Sequence, residues 1–265
     1  GFVVRRPFPT TSLSYVDPFL LFDHMGPVEH APGEGVGTSP HPHRGFETVT
    51  YLLEGEVEHR DSLGNHGFLG AGDTQWMTAG RGVIHQEGPT EAFRARGGRM
   101  HGVQLWVNLP AAEKMRPASY QDLRATEVAV VEPAPGVTAR VIAGAAFGVS
   151  GPGRTFTPIT YVHATIDAAA VARTDVPADH VVLVYPLVGS VQVGGTVVDE
   201  GVLGVLGAGD VVELRGTSPE VPAEVILLTG APIGEPVVRE GPFVMSTQAD
   251  LLRAFEDYRT GRFVE

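Results

Sequence analysis

The sequence predicts an all-β chain, built as two barrels in tandem and closed by a short C-terminal helix. Three observations carry this. Glycine and proline make up 34 and 21 of the 265 residues, spread between short apolar runs with no G-X-Y period, which is how a turn-rich β protein reads. Those runs recur at roughly the 8–12-residue spacing of a sandwich or barrel. The chain also echoes itself. Leu69-Gly70-Ala71-Gly72-Asp73 returns as Leu206-Gly207-Ala208-Gly209-Asp210, an offset of 137. Upstream, Thr50–Gly55 is matched loosely by Val184–Gly189, an offset of 134. Two echoes in order favour a duplicated unit.

Taken in order, Phe2–Pro9 carries Val3, Val4, Pro7 and Pro9 and suits an edge strand or an ordered arm. Asp17–His24 is an apolar core segment bracketed by turn formers, and the Gly- and Pro-rich residues 26–40 form a loop leading to His41. Strands are expected over Phe46–Leu53, Val57–Asp61, Thr74–Thr78 and Gly102–Asn108, separated by turns at 54–56, 62–65 and 70–73. Pro110 ends the last of these. The polar stretch 111–127 reads as a short helical or irregular connector. The second half resumes with strands at Val137–Ile142, Ile159–Ile166, Val181–Val188 and Val211–Leu214.

Thr247 with Asp250 three residues on forms a capping-box-like helix start. Leu251, Leu252, Phe255 and Tyr258 follow at amphipathic spacing, and Gly261 suits the C′ position. The apolar face of this helix is expected to dock on the barrels. The expected partition is residues 1–130 and 131–265, with the helix in the second part.

Composition narrows the function. Hydrophobic content of 43% with 19% charged residues supports a sizeable core rather than disorder. The net charge is −12 and Lys114 is the sole lysine. An acidic chain without a basic stripe gains no phosphate neutralisation, so direct nucleic-acid binding is disfavoured. There are no cysteines, which excludes disulfides, thiolate metal sites and thiol nucleophiles. No apolar run approaches the ~20 residues of a membrane span, and no signal segment opens the chain. A cytoplasmic protein is therefore expected, whose true start can lie upstream because residue 1 is not Met.

The chemistry concentrates between His41 and Glu87. His41-Pro42-His43 and His85-Gln86-Glu87 each place two ligand types at i, i+2. On a strand this spacing puts both side chains on one face. Two such strands facing each other would present three imidazoles and a carboxylate to one point, a donor set that suits a divalent metal. A buried, hydrogen-bonded His/Glu network is the alternative use of the same residues. Glu47 shares the odd-numbered face. It could orient an imidazole, or serve as a buried partner for Arg44 or Arg81. His24, His30, His59 and His66 fall in turns or at strand ends and read as exposed. His101 precedes a strand and reads as structural, with lining the cavity as the alternative, and His163 and His180, which lack an i+2 partner, read as core or surface histidines.

His41-Pro42-His43-Arg44-Gly45-Phe46-Glu47-Thr48-Val49, Gln75–Gly82, His85-x-Glu87 and Gln104–Leu109 closely resemble the pirin family. Asp17–Asp23 and Gly241–Met245 resemble its outer segments, and residues 111–235 match more loosely. The resemblance implies a bicupin of two jelly-roll β-barrels with a short C-terminal helix. It also implies one divalent metal per chain, usually iron, Fe(2+), with other divalent transition metals compatible. The implied ligands are His41, His43, His85 and Glu87, the residues reached above by strand parity. Against the general cupin pattern, Glu47 sits one residue early and the span from Gly72 to His85 is two residues longer. Both departures fit pirins, whose carboxylate ligand comes from the later His-x-Glu motif.

Bacterial members of the family include quercetin 2,3-dioxygenases. The resemblance therefore implies oxidative ring opening of a flavonol or related enediol, with a small aromatic substrate and O2. Glu87 is the candidate base, since a carboxylate can exchange between ligation and proton acceptance. Animal pirins are redox-sensitive coregulators, so the alternative is a non-enzymatic sensor acting through a protein partner. Aligning the halves places His85 over Pro222, Glu87 over Glu224, and His41 and His43 over Asp175 and Pro177. Proline cannot ligate through its side chain. The second barrel is therefore expected to lack metal and to be filled by residues such as Val182, Leu183 and Val184.

Overall fold

The computed structural model describes residues 3–264; Phe2, at the start of the expected N-terminal arm, lies outside them. By contact density the chain divides into two units: residues 1–15, 19–125 and 233–265, and residues 16–18 and 126–232. Each is a β-barrel built from antiparallel sheets.

In the first unit, β1 (Val4–Phe8), β2 (Phe19–His30), β3 (His41–His43), β4 (Phe46–Glu54) and β5 (Val57–Asp61) are followed by β6 (His66–Leu69), β7 (Thr74–Thr78) and β8 (Val83–Pro89). A short helix, α1 (Glu91–Arg96), precedes β9 (Gly98–Asn108) and β10 (Ser119–Leu123). Six strands form one sheet in the order β1-β2-β9-β4-β7-β10, and four form another in the order β3-β8-β5-β6. Each turn has a local cause. Asp61, for example, accepts from the Leu63 and Asn65 backbone N–H groups, closing the β5–β6 hairpin with an Asx-type turn.

Three expectations are corrected here. The loop expected over 26–40 begins late, because β2 continues to His30 with a register shift between Met25 and Val28. Gly26, at φ +78°, absorbs that bulge, and a side chain there would meet the Met100 carbonyl. The connector 111–127 opens with the expected short helical turn, Ala111–Glu113, but also contains an edge strand, β10, paired along its length with β7. Its polar sequence hides it, since an edge strand of this kind has little apolar alternation.

The third correction concerns the C-terminus. Helix α2 (Gln248–Arg259) forms with Thr247 as its N-cap, and the Thr247 hydroxyl accepts from the Asp250 N–H. It clusters with the first unit rather than the second. Leu251 and Ala254 face inward beside Phe243, Met245 and Phe263, with Ile84 of β8 packed against them. Leu252, expected on the apolar face, is exposed.

The buried Arg44 guanidinium anchors this segment. It donates to Asp257 at 2.7 Å and to the Phe263 carbonyl at 3.1 Å, and stacks over the Phe263 ring. Lys114 adds a second tie, its Nζ donating to the Gly45 and Val244 carbonyls and to Asn108 Oδ1. Burial pushes its ammonium down to about 7, and these three acceptors stabilise the charged form against that.

The second unit repeats the architecture. Its larger sheet includes the strands Ile159–Ile166, Ala223–Gly230, Val181–Val188 and Gly204–Leu206. The Leu206–Asp210 echo is the turn that carries the chain from one sheet to the other into Val211–Gly216, as Leu69–Asp73 carries it from β6 into β7 of the other sheet. Its core is a valine and alanine cluster that includes Val182 and Val184. Leu183 is buried on the opposite face of the same strand, as period-2 alternation requires.

Candidate metal centre

Strand pairing brings the two halves of the histidine motif together. β3 pairs with β8 so that His41 lies directly opposite His85. On the other side of β8, Asp61 of β5 is opposite His85, and His59 is opposite Glu87. Directly opposed residues in antiparallel strands share a face, so all of these point inward from the four-stranded sheet.

His41, His43 and His85 converge, each offering a nitrogen within 4.8 Å of the others. Their ring centroids are 4.3–4.9 Å apart. His41 Nδ1 lies 2.9 Å from the Ser39 carbonyl, which leaves Nε2 free to face the cluster. His43 Nδ1 and His85 Nε2 are buried with no hydrogen-bond partner among the described residues. Buried imidazole nitrogens without partners are costly, and a bound cation would satisfy them. Burial, with the neighbouring imidazoles, holds His43 well below its ordinary pKa. His85 is held to about 4 by burial first, partly offset by Glu87. Both rings are therefore neutral at pH 7, the form that ligates. The residues present fit a metal.

Glu87 is placed less simply than its spacing suggests. Its carboxylate lies 3.8 Å from His85 Nδ1 and 3.8 Å from His59 Nδ1. It thus belongs to a second group, His59, His85 and Glu87, that shares His85 with the first. Burial would raise its pKa, but His59 and the surrounding imidazoles more than offset this and hold it to about 2.

His59 corrects the expectation of an exposed histidine, being 1% exposed. Its Nε2 lies 3.1 Å from the Tyr120 hydroxyl, which donates to Asp61 at 2.6 Å. The signal for it was present in the alternation of Val57, His59 and Asp61 on one face of β5. His24 is likewise buried rather than exposed, on the opposite face of its sheet, with its Nε2 2.8 Å from that of His101.

Glu47 does not reach the cluster. It accepts from the Thr78 hydroxyl at 2.7 Å rather than pairing with Arg44 or Arg81. Burial pushes its carboxyl up to about 7. An unfolded glutamate titrates near 4.5, so between those values the folded state holds a proton that the unfolded state has lost. The stability this contributes is full below about 4.5 and is lost as pH rises through about 7. Glu47→Gln should remove that slope, making the variant more stable than wild type at pH 8 by roughly 2–3 kcal/mol and about equal at pH 5. Urea denaturation at the two pH values measures this; parallel profiles would refute it.

A cavity of about 410 Å³ opens beside the histidines, between the two sheets of the first unit. Its walls are mainly apolar, with Leu21, Trp106, Met100 and Pro242 among them. Trp106 packs edge-on to the His43 ring at 5.2 Å.

Two jelly-roll barrels in one chain, with a histidine cluster in the first, define a bicupin. Family models agree: the Pirin model matches residues 1–107, and the Pirin C-terminal cupin domain matches residues 161–264. The chain is similar to a Pseudomonas aeruginosa protein provisionally named a quercetin 2,3-dioxygenase, at 40% identity over 100% of this chain and 93% of that protein. It is similar to mouse Pirin at 40% identity, over 99% of this chain and 88% of that one. Among solved structures, a quercetin 2,3-dioxygenase from Acinetobacter baumannii superposes with TM-score 0.94 at 37% identity, covering 100% of this chain and 93% of that one. The chain belongs to the pirin family. No described helix is long and apolar enough to cross a membrane.

Proposed function

We propose that the protein is a metal-dependent dioxygenase of the quercetin 2,3-dioxygenase type, opening the ring of a flavonol or related enediol. The observation that carries this reading is the convergence of three imidazoles, two of them with orphaned buried nitrogens, at a mainly apolar cavity. The names of the Pseudomonas and Acinetobacter proteins support it. His41, His43 and His85 would hold one divalent metal, iron(II) by preference, with Glu87 as a further ligand or as the base beside it. When bound, the metal would hold the oxygens of the substrate and lower the cost of its enolate.

The chain's own residues supply the rest. Glu87 is ionised at neutral pH and lines the cavity, so it can accept the proton of the substrate's 3-hydroxyl. Trp106 and Leu21 offer apolar surface for a planar ring and exclude water from it. The second barrel would carry no metal, since both candidate ligand groups among the described residues lie in the first unit. Elemental analysis should therefore find one metal per chain, and two would contradict this assignment. The function is tested by anaerobic loading with iron(II), followed by O2 uptake and carbon monoxide release across a set of flavonols. No turnover on any of them would overturn it.

One observation favours a regulatory reading as the alternative. Arg44 follows His43 directly and clamps α2, while Gly241 and Pro242 of the C-terminal segment line the cavity. A change at the cluster thus has a covalent and packed route to the surface of α2. A protein partner captured in one iron oxidation state, in a preparation without turnover, would support that reading.

A further inference from the structure

The six-stranded sheet of the first unit presents three successive rows of side chains to the cavity, and the middle row is polar. Strand register defines them. Nearest the histidines, Leu21, Trp106, Thr48 and Met77 are directly opposed across β2, β9, β4 and β7. The next row on that face runs through Asp23, Gln104, Thr50 and Gln75 on the same four strands. Arg6 extends it onto β1 and Asp122 onto β10. Beyond it, Met25, Gly102 and Leu52 form an apolar row again.

The ends of the polar row are internally satisfied. Arg6 donates twice to Asp23, both at 2.6 Å, and Gln75 donates to Asp122 at 3.1 Å. The centre is not. The Gln104 amide and the Thr50 hydroxyl line the cavity, and neither side chain has a hydrogen-bond partner among the described residues. A polar pair left open in the middle of an apolar wall is the feature that orients a ligand in a small-molecule site.

Position decides what that ligand carries. Gln104 is two residues along β9 from Trp106, whose ring abuts His43. At the rise of a β-strand, this places the pair about 7 Å further from the histidines than Trp106. A ligand with its oxygens at the histidine cluster and a ring against Trp106 and Leu21 would bring its next substituents to the Gln104–Thr50 pair. The apolar chamber of Met25, Leu52 and Met100 lies past them.

We propose that Gln104 and Thr50 form a subsite that selects planar aromatic enediols bearing a hydroxyl on the ring remote from the chelating oxygens. This rests on the proposed flavonol reading and narrows it to a substrate class. Both side chains can donate and accept, so a phenolic hydroxyl can pair with either. A ligand without that hydroxyl leaves both unpaired and displaces water from them, which is how such sites discriminate.

The test compares two flavonols on the metal-loaded protein without O2, so that binding is read rather than turnover. Kaempferol carries one hydroxyl on its pendant ring and galangin carries none. Wild type should bind kaempferol about tenfold more tightly or better, from one or two hydrogen bonds each worth roughly three- to tenfold. In Thr50→Val and Gln104→Met, which keep side-chain volume, the ratio should fall, and in the double variant it should approach one. Circular dichroism checks that the variants fold, and the two-ligand comparison on wild type needs no variant. A wild-type ratio near one, or an unchanged ratio in the double variant, overturns the subsite and leaves the flavonol reading standing. Binding of neither flavonol by fully metal-loaded wild type overturns both.

Discussion

His43→Ala should strip the protein of metal while leaving its barrels folded. The substituted chain should retain less than about a tenth of the wild-type metal after dialysis, because one imidazole of the His41–His43–His85 group is lost. Its Nδ1 is a buried nitrogen with no partner among the described residues, so its removal ends a demand for a cation. The folding cost is bounded by packing. His43 is 4% exposed and touches Phe46 and Trp106 edge-on at 5.2 Å. Truncation there should cost on the order of 1–3 kcal/mol, the usual range for such a change. The strands hold through their own ladders and apolar cores, so chelated wild type should also keep its β-type circular dichroism. That is unlike a small zinc finger, whose folding is metal binding. Metal analysis beside thermal unfolding measures both effects. Full metal retention in the variant, or loss of β structure on chelation, would count against this account.

Glu87→Gln should lower turnover, normalised to bound metal, by roughly 10²–10⁴-fold, the span usual for one general base. The amide keeps the size and one oxygen but loses the charge that His59 and the neighbouring imidazoles stabilise. Held to about 2, the carboxylate is weakly basic but always ionised near neutrality. It can therefore serve as acceptor only for a hydroxyl that is already acidified at the site. A pre-ionised substrate analogue should then recover part of the lost rate. Metal occupancy should fall less than in His43→Ala, because the three imidazoles remain. O2 uptake and carbon monoxide release on both proteins measure this, and equal normalised rates would remove Glu87 from the chemistry.

Much of the site was legible because strand chemistry is local. Two His-x-ligand pairs at i, i+2 sufficed to place His41, His43 and His85 on inward faces, and the structure brings those three together. His59 escaped, despite Asp61 at i+2, because it reads as a strand-end residue, and its role depends on lying opposite Glu87 across β5 and β8. The polar row through Gln104 and Thr50 escaped for the same reason, its members coming from strands far apart in the chain. Parity placed Glu47 on one face with His41 and His43, but register sets it on the face of β4 opposite the cavity-lining Thr50, beside Thr78.

By itself the sequence determined the β class, the duplication, the capped terminal helix and the three-histidine set, because each follows from alternation, turn residues or a short motif. Only the tertiary structure decided that α2 belongs with the first unit, through the Arg44–Asp257 pair and the Phe243–Phe263 cluster. It alone turned Glu87 toward His59 and aligned Asp23, Gln104 and Thr50 beside the cavity. The physical reason is that strand pairing joins residues with no relation in sequence spacing. Their meeting is set by register across several strands, and each strand on its own specifies only which face its side chains occupy.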